Sequence, residues 1–344
     1  MRVRVRTVIF SVLALLVVLV LVVITKMGWQ VVLGPHSRPV TNRKFEVTQA
    51  RLDRGKYLVE SQTHCFFCHS EHTLTDPMFP MVAGKMGAGF ELPIPELGRV
   101  IAPNITPDPE TGIGKWTDDE IARAMQEGVS RDGRALFPIM PYQRFRNLTD
   151  EDLASVIVYV RSVPPVRNVL PVTKLNFPLN FIVKTIPEPL TTHTPQPPRT
   201  TAEARGEYIV EAAVGCADCH TPTNQGVPLP GLTFGGGESF DDPSQRKTVF
   251  SANITMDPSG IAHYDETMFI NTMRTGQVPG RVLTHIMPFE AFKNMTDDDL
   301  KDVFAYLKTR PPVKHRVSNV DPPTLCVVCN KTHGLGELNR KAGQ

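Results

Sequence analysis

The chain has no cysteine outside three C-x-x-C pairs, so the scattered even set of a disulfide framework is missing. It also lacks an excess of either charge. Lys+Arg number 37 and Asp+Glu 35, a formal net charge of +2. A nucleic-acid binder shows a strong basic excess, so the balance argues against that class. No A-x-A-like cleavage site follows the first apolar segment, which argues against a removable secretion signal. What is present points to packed domains joined by irregular chain. The composition is 41% hydrophobic, enough for a core, and Pro 31 and Gly 24 predict long loops. A length of 344 residues implies more than one domain.

The N-terminus reads MRVRVRTVIFSVLALLVVLVLVVITKMGWQ. An apolar run of 17 residues extends from Val8 to Ile24, with Ser11 its only polar member. That is the short end of a membrane-spanning helix. Arg2, Arg4 and Arg6 precede it, which by the positive-inside rule leaves the N-terminus in the cytoplasm and the remainder translocated. Lys26 can snorkel and Trp29 suits the far interface. The expectation is a retained single-pass anchor in the inner (cell) membrane, with everything after it on the periplasmic or outer face.

The chain then repeats itself. RGKYLVESQTHCFFCH (54–69) aligns without a gap on RGEYIVEAAVGCADCH (205–220), and PNITPDPETGIGKW (103–116) matches ANITMDPSGIAHY (252–264). PIMPYQRFRNLTDEDLASVIVYVRSVPPV (138–166) matches HIMPFEAFKNMTDDDLKDVFAYLKTRPPV (285–313). Two copies are too few for a solenoid, so they read as two homologous domains of roughly 110 residues. Each copy reads as mostly α. Thr117 with Glu120 forms a capping-box pattern and Gly128 marks the helix end. Thr149 and Thr296 are N-caps, each followed by three acidic residues on the positive end of the helix dipole. The acidic clusters are therefore read as caps. The proline- and threonine-rich stretch between the copies reads as a linker whose apolar LNFPLNFIV lies across a domain surface.

C-x-x-C-H at Cys65, Cys68 and His69, and again at Cys216, Cys219 and His220, is the attachment signature of haem c. One helical turn brings two sulfurs to the porphyrin edge as thioethers, and the adjacent histidine faces the iron. Zinc is the plain alternative, but it needs four ligands and no second half lies at finger-like spacing. Two covalent haems are expected. Each iron needs a second axial ligand, and each copy places a methionine just before a proline, Met140 in PIMPY and Met287 in HIMPF. Proline holds the preceding residue extended, which suits a strand crossing the haem face. A methionine is ordinarily a core filler, and that is the reading for Met81, Met125 and Met273. His285 is a rival to Met287, weakened because Pro138 occupies its place in the first copy. His64 and His72 read as surface residues.

The order CxxCH, then NITPDPETGIGKWTDDE, then MPYQRFRNLTDEDL, ending in YVRSVPPV, resembles the haem domains of the cytochrome c subunits of membrane-bound bacterial alcohol, sugar and gluconate dehydrogenases. LNFPLNF is similar to their inter-domain segment. The resemblance implies two tandem cytochrome c-like helical domains passing electrons to a quinone or oxidase. The division expected is 1–26 anchor, 27–45 linker, 46–168 first cytochrome c domain, 169–200 proline-rich linker, 201–316 second cytochrome c domain and 317–344 tail. The expected partners are redox proteins, namely a dehydrogenase subunit, a quinol-oxidising complex or a terminal oxidase, together with the membrane. The function expected is electron transfer without catalysis. A dihaem enzyme of peroxidase or thiosulfate-oxidising type is the alternative, and methionine on both irons speaks against it.

The third pair, LCVVCNKTH at 325–333, breaks the pattern, because Asn330 stands where the proximal histidine belongs. Only 19 residues run from Cys326 to Gln344, too few for a third haem fold. A haem using His333 would need cover from elsewhere, and a metal held by Cys326, Cys329 and His333 lacks a fourth ligand nearby. A disulfide between Cys326 and Cys329 is the preferred expectation, with two free thiols as the remaining case.

Overall fold

Caps begin the helices where the sequence placed them. Thr117 and Glu120 make both halves of a capping box, and the side chains of Thr149 and Thr296 accept from the N–H groups of Asp152 and Asp299. Thr48, Thr201 and Asp265 do the same for three further helices. The computed structural model describes residues 2–191 and 199–340, so 192–198, near the end of the proline-rich linker, lie outside the described residues.

Helix α1 (Arg2–Met27) carries the apolar run; its Val8–Lys26 stretch has a mean hydropathy of 3.4 and is exposed along nearly its whole length, with Ile24 buried near its end. Each repeat then builds the same frame. Helix α2 (Gln49–Tyr57) runs on into a π-helical turn, Leu58–Gln62. It packs against α4 (Asp150–Val160), while α3 (Asp118–Glu127) closes the core. In the second repeat α5 (Ala202–Tyr208) runs into Ile209–Val214 and packs on α7 (Asp297–Lys308), with α6 (Glu266–Thr275) beside it. The glycine of each RG-x-Y marks the crossing. A Cβ on Gly55 would lie 2.0 Å from the Ser155 carbonyl oxygen, and one on Gly206 would lie 1.9 Å from that of Asp302. The two helix backbones touch there, and no side chain fits between them.

Two apolar cores result. The first gathers Leu58, Val59, Phe145, Leu153 and Ile157, and the second Ile209, Val210, Phe292, Leu300 and Leu307. Helices are accompanied by six two-stranded antiparallel sheets among the described residues, which the helical pattern did not foretell. One of them pairs Gly98–Arg99 with Lys174–Leu175, so the start of the inter-repeat segment is stitched to the first repeat.

The acidic first turn of α3 does more than cap. Arg38 makes a two-pronged pair with Asp119 at 2.7 and 2.8 Å and a third bond to Glu127 at 2.8 Å. The Thr41 N–H also donates to Asp119. Burial pushes the Asp119 carboxyl up, but the Arg38 and Thr41 hydrogen bonds outweigh it and hold it at about 2. The segment that follows the apolar helix is thereby strapped to the first repeat.

The repeats meet through matching residues. The Tyr57 hydroxyl donates to Asp299 and accepts from the Thr296 N–H at 3.0 Å. The Tyr208 hydroxyl donates to Asp152 at 2.6 Å and accepts from the Thr149 N–H at 3.2 Å. Tyr57 and Tyr208 are equivalent in the alignment, as are Thr149 and Thr296. Each repeat caps the last long helix of the other, so the contact has approximate two-fold symmetry.

Candidate haem sites

Each CxxCH forms a single helical turn, Cys65–Cys68 and Cys216–His220. A left-handed residue swings the chain into it, His64 at φ 38° and Gly215 at φ 78°. Glycine adopts this conformation freely, whereas His64 does so with its ring against Phe292 of the other repeat, centroids 5.6 Å apart. His64 is therefore not the surface residue expected. Burial pushes its imidazole down to about 4. His72 is also drawn in, with Nδ1 2.6 Å from the Phe79 carbonyl oxygen and Nε2 buried without a partner.

The proximal histidines are oriented from behind. His69 Nδ1 lies 2.7 Å from the Pro103 carbonyl oxygen, and His220 Nδ1 lies 2.7 Å from that of Ala252. A carbonyl only accepts, so Nδ1 carries the proton and Nε2 keeps its lone pair. Burial depresses both imidazoles, which favours the neutral, ligating form. The carbonyls are held by the repeated N-I-T. Asn104 Oδ1 accepts from the Thr106 N–H and hydroxyl while its Nδ2 donates to the Val166 carbonyl at 2.7 Å. Asn253, Thr255 and Val313 make the same set. The pattern NIT, noted in the sequence only as repeated, is thus the brace behind each proximal ligand.

Met140 and Cys65 border the first core together, and Met287 and Cys216 border the second. Each methionine carbonyl accepts from the N–H two residues on, Tyr142 at 2.8 Å and Phe289 at 2.7 Å. His285 is buried with neither ring nitrogen bonded, its ring 5.6 Å from that of Phe289. The donor set fits haem c in both repeats: paired free thiols on one turn, a neutral imidazole with its second nitrogen available, and a thioether at the same core edge. Cys65, Cys68 and His69, and Cys216, Cys219 and His220, would hold the two groups.

Arg144 joins the sites, a role with no signal in the sequence. Its Nε donates to Asp218 inside CADCH at 3.0 Å, and its Nη1 donates to the Ala213 carbonyl. Burial pushes up the thiols of Cys65, Cys68, Cys216 and Cys219, and the Arg144 charge partly offsets this in both repeats. Arg144, from the first repeat, thus bonds the attachment turn of the second.

Two helical units, each with a CxxCH turn and a braced histidine, define a c-type cytochrome carrying two covalently bound haems. The Cytochrome c family profile matches residues 52–164 and again 203–311, and the chain belongs to that family. It is similar to a nicotinate dehydrogenase subunit of Pseudomonas putida, 33% identical over 229 residues, covering 63% of this chain and 18% of that protein. It is similar to the cytochrome c subunit of alcohol dehydrogenase (quinone) of Gluconobacter oxydans, 26% identical over 282 residues, 78% of this chain and 56% of that protein. A diheme cytochrome c-type protein of Cereibacter sphaeroides is 25% identical over 232 residues, 66% of this chain and 77% of its own. The chain spans less than a fifth of the first of these and just over half of the second.

Cys326 and Cys329 are not joined, contrary to the disulfide expected. Their sulfurs face imidazoles instead, Cys326 that of His315 and Cys329 that of His333.

Proposed function

We propose that the protein is a membrane-anchored dihaem electron carrier that takes electrons from a dehydrogenase or quinol donor and passes them to a respiratory acceptor. Haem c supplies reversible one-electron chemistry. The chain supplies axial ligands, burial and a fixed spacing between its two sites. His69 with Met140, and His220 with Met287, are the axial pairs in this reading, and methionine ligation raises the potential relative to two histidines. The observation that carries it is the two-fold contact, in which Tyr57 and Tyr208 lock the repeats and Arg144 of the first repeat bonds the attachment turn of the second. An electron arriving at one haem then has the other as its nearest relay. The mostly α division into cytochrome c domains at 46–168 and 201–316, with a tail from 317, belongs to the same reading. The apolar helix α1 serves as a single-pass inner-membrane anchor with both domains on the periplasmic side. The names of the relatives support a dehydrogenase as donor.

Optical and potentiometric titration of the detergent-solubilised protein tests this. A c-type α-band on reduction, a weak ferric Met–Fe band in the near infrared and two one-electron waves are expected. A high-spin ferric haem that binds peroxide or cyanide readily would favour the dihaem enzyme.

A further inference from the structure

The tail holds four buried side chains aimed at one point. Among the described residues, His315, Cys326, Cys329 and His333 form a group whose ligand atoms all lie within 4.8 Å of one another. Three are fully buried and Cys329 is 3% exposed. Cys326 Sγ is 3.4 Å from His315 Nε2, and Cys329 Sγ is 3.3 Å from His333 Nε2. A tetrahedral zinc with Zn–S about 2.3 Å and Zn–N about 2.05 Å has S···N edges of about 3.5 Å.

The surroundings are those of a metal centre. His315 Nδ1 is 2.9 Å from the Gly235 carbonyl oxygen and His333 Nδ1 is 3.0 Å from that of Gly334. Both protons are therefore on Nδ1, and both Nε2 lone pairs face inward. Asn339 Nδ2 donates to Cys326 Sγ at 3.3 Å and is itself buried. The Cys326 N–H bonds the Lys331 carbonyl at 2.9 Å across a turn in which Asn330 is left-handed at φ 57°. This accounts for asparagine where the haem motif has histidine. The position after the second cysteine must turn back, and asparagine tolerates that conformation better than most residues. The hydrophobic cluster here is small, Leu232 and Val313 with the two cysteines, so apolar burial alone does little to hold the tail.

We infer that His315, Cys326, Cys329 and His333 bind one structural zinc ion. Binding releases the two thiol protons, and two thiolates with one Zn²⁺ leave a neutral buried centre. All four positions are protein side chains, so no open position is left for catalysis. The ion ties strand β1 (Ser318–Leu325) and its partner β2 (Thr332–Gly334) to the loop behind the second haem motif. His315 holds the Gly235 carbonyl, and the next residue, Gly236, donates its N–H to the His220 carbonyl at 2.8 Å.

Metal analysis of the full-length, haem-loaded, detergent-solubilised protein tests the site. The result expected is one zinc and two iron atoms per chain. Titration with a mercurial should release that zinc to a chromogenic chelator. In His315→Asn the amide can keep the bond to Gly235. That variant should retain both haems and show at least tenfold lower zinc occupancy after dialysis against EDTA. Asn339→Ala should weaken zinc binding about 10- to 100-fold. A zinc-free wild-type protein overturns the inference, whether alkylation finds Cys326 and Cys329 oxidised to a disulfide or free. A third iron in place of zinc overturns it equally. If His315→Asn fails to accumulate, the wild-type stoichiometry and mercurial release still decide.

Discussion

Asn168 and His315 occupy equivalent positions, two residues past the closing Val-Pro-Pro-Val or Arg-Pro-Pro-Val of their repeats. Both face the loop behind a haem motif. Asn168 Nδ2 donates to the Ala88 carbonyl at 2.9 Å, and His315 Nδ1 donates to the Gly235 carbonyl at 2.9 Å. In both repeats the next N–H, of Gly89 or Gly236, bonds the carbonyl of the proximal histidine at 2.8 Å. One backbone requirement is met by two residue types, and only histidine leaves a second nitrogen to recruit a further partner. In the second repeat that partner is the C-terminal C-x-x-C. The pairs of cysteines differ accordingly. Those at Cys65 and Cys216 stand on helical turns whose histidine points away to a carbonyl, while those at Cys326 and Cys329 meet imidazoles directly.

The comparison can be broken most sharply at the axial ligands. Met140→Ala and Met287→Ala should each abolish the near-infrared Met–Fe band of one haem, leaving about half the wild-type intensity, and should lower that haem's potential. A Met287→Ala protein that keeps its full band points to His285, which has both ring nitrogens unbonded and no histidine counterpart in the first repeat.

A smaller loss is expected at the helix crossings. Gly55→Ala and Gly206→Ala each drive a methyl into hard overlap with a carbonyl, so each should cost about 1–3 kcal/mol or more. Thermal or denaturant unfolding of the two variants should give similar losses. A neutral effect at one position means that its crossing is looser than the other.

The smallest effect concerns the strap, seen among the described residues on the first repeat. Asp119 is held at about 2, well below its unfolded value of 3.8. Its contribution is fully present above pH 3.8 and is lost as pH falls through about 2. Asp119→Asn should therefore destabilise the protein at neutral pH and make little difference near pH 2. Thr267, exposed on α6, takes the place of Asp119 in the second repeat, and Glu266→Gln one residue before it should change little at either pH. Unfolding curves at the two pH values separate these cases.

Much of this was legible in the sequence. The gapless alignment of the two CxxCH segments and the threonine caps are local patterns, written in consecutive residues. What escaped detection depends on chain segments meeting in space. The sequence offers Cys326, Cys329 and His333 within eight residues. Its fourth partner, His315, lies upstream and belongs by alignment to the second repeat, so a triad was visible and a tetrad was not. The disulfide expectation failed for the same reason, since the imidazoles facing each sulfur were not visible. On α3 the capping box of Thr117 and Glu120 was legible, but the pairing of Asp119 was not, because Arg38 lies far from it in sequence. The two-fold contact of Tyr57 and Tyr208 was hidden because neither tyrosine stands out from a core residue.

Intact mass of the denatured full-length chain tests most directly the claim that two of the three C-x-x-C pairs carry haem and the third does not. The account predicts a mass of the polypeptide plus two covalent haems, with Cys326 and Cys329 open to alkylation once metal is removed. A mass increment of three haems, or of one, would contradict it.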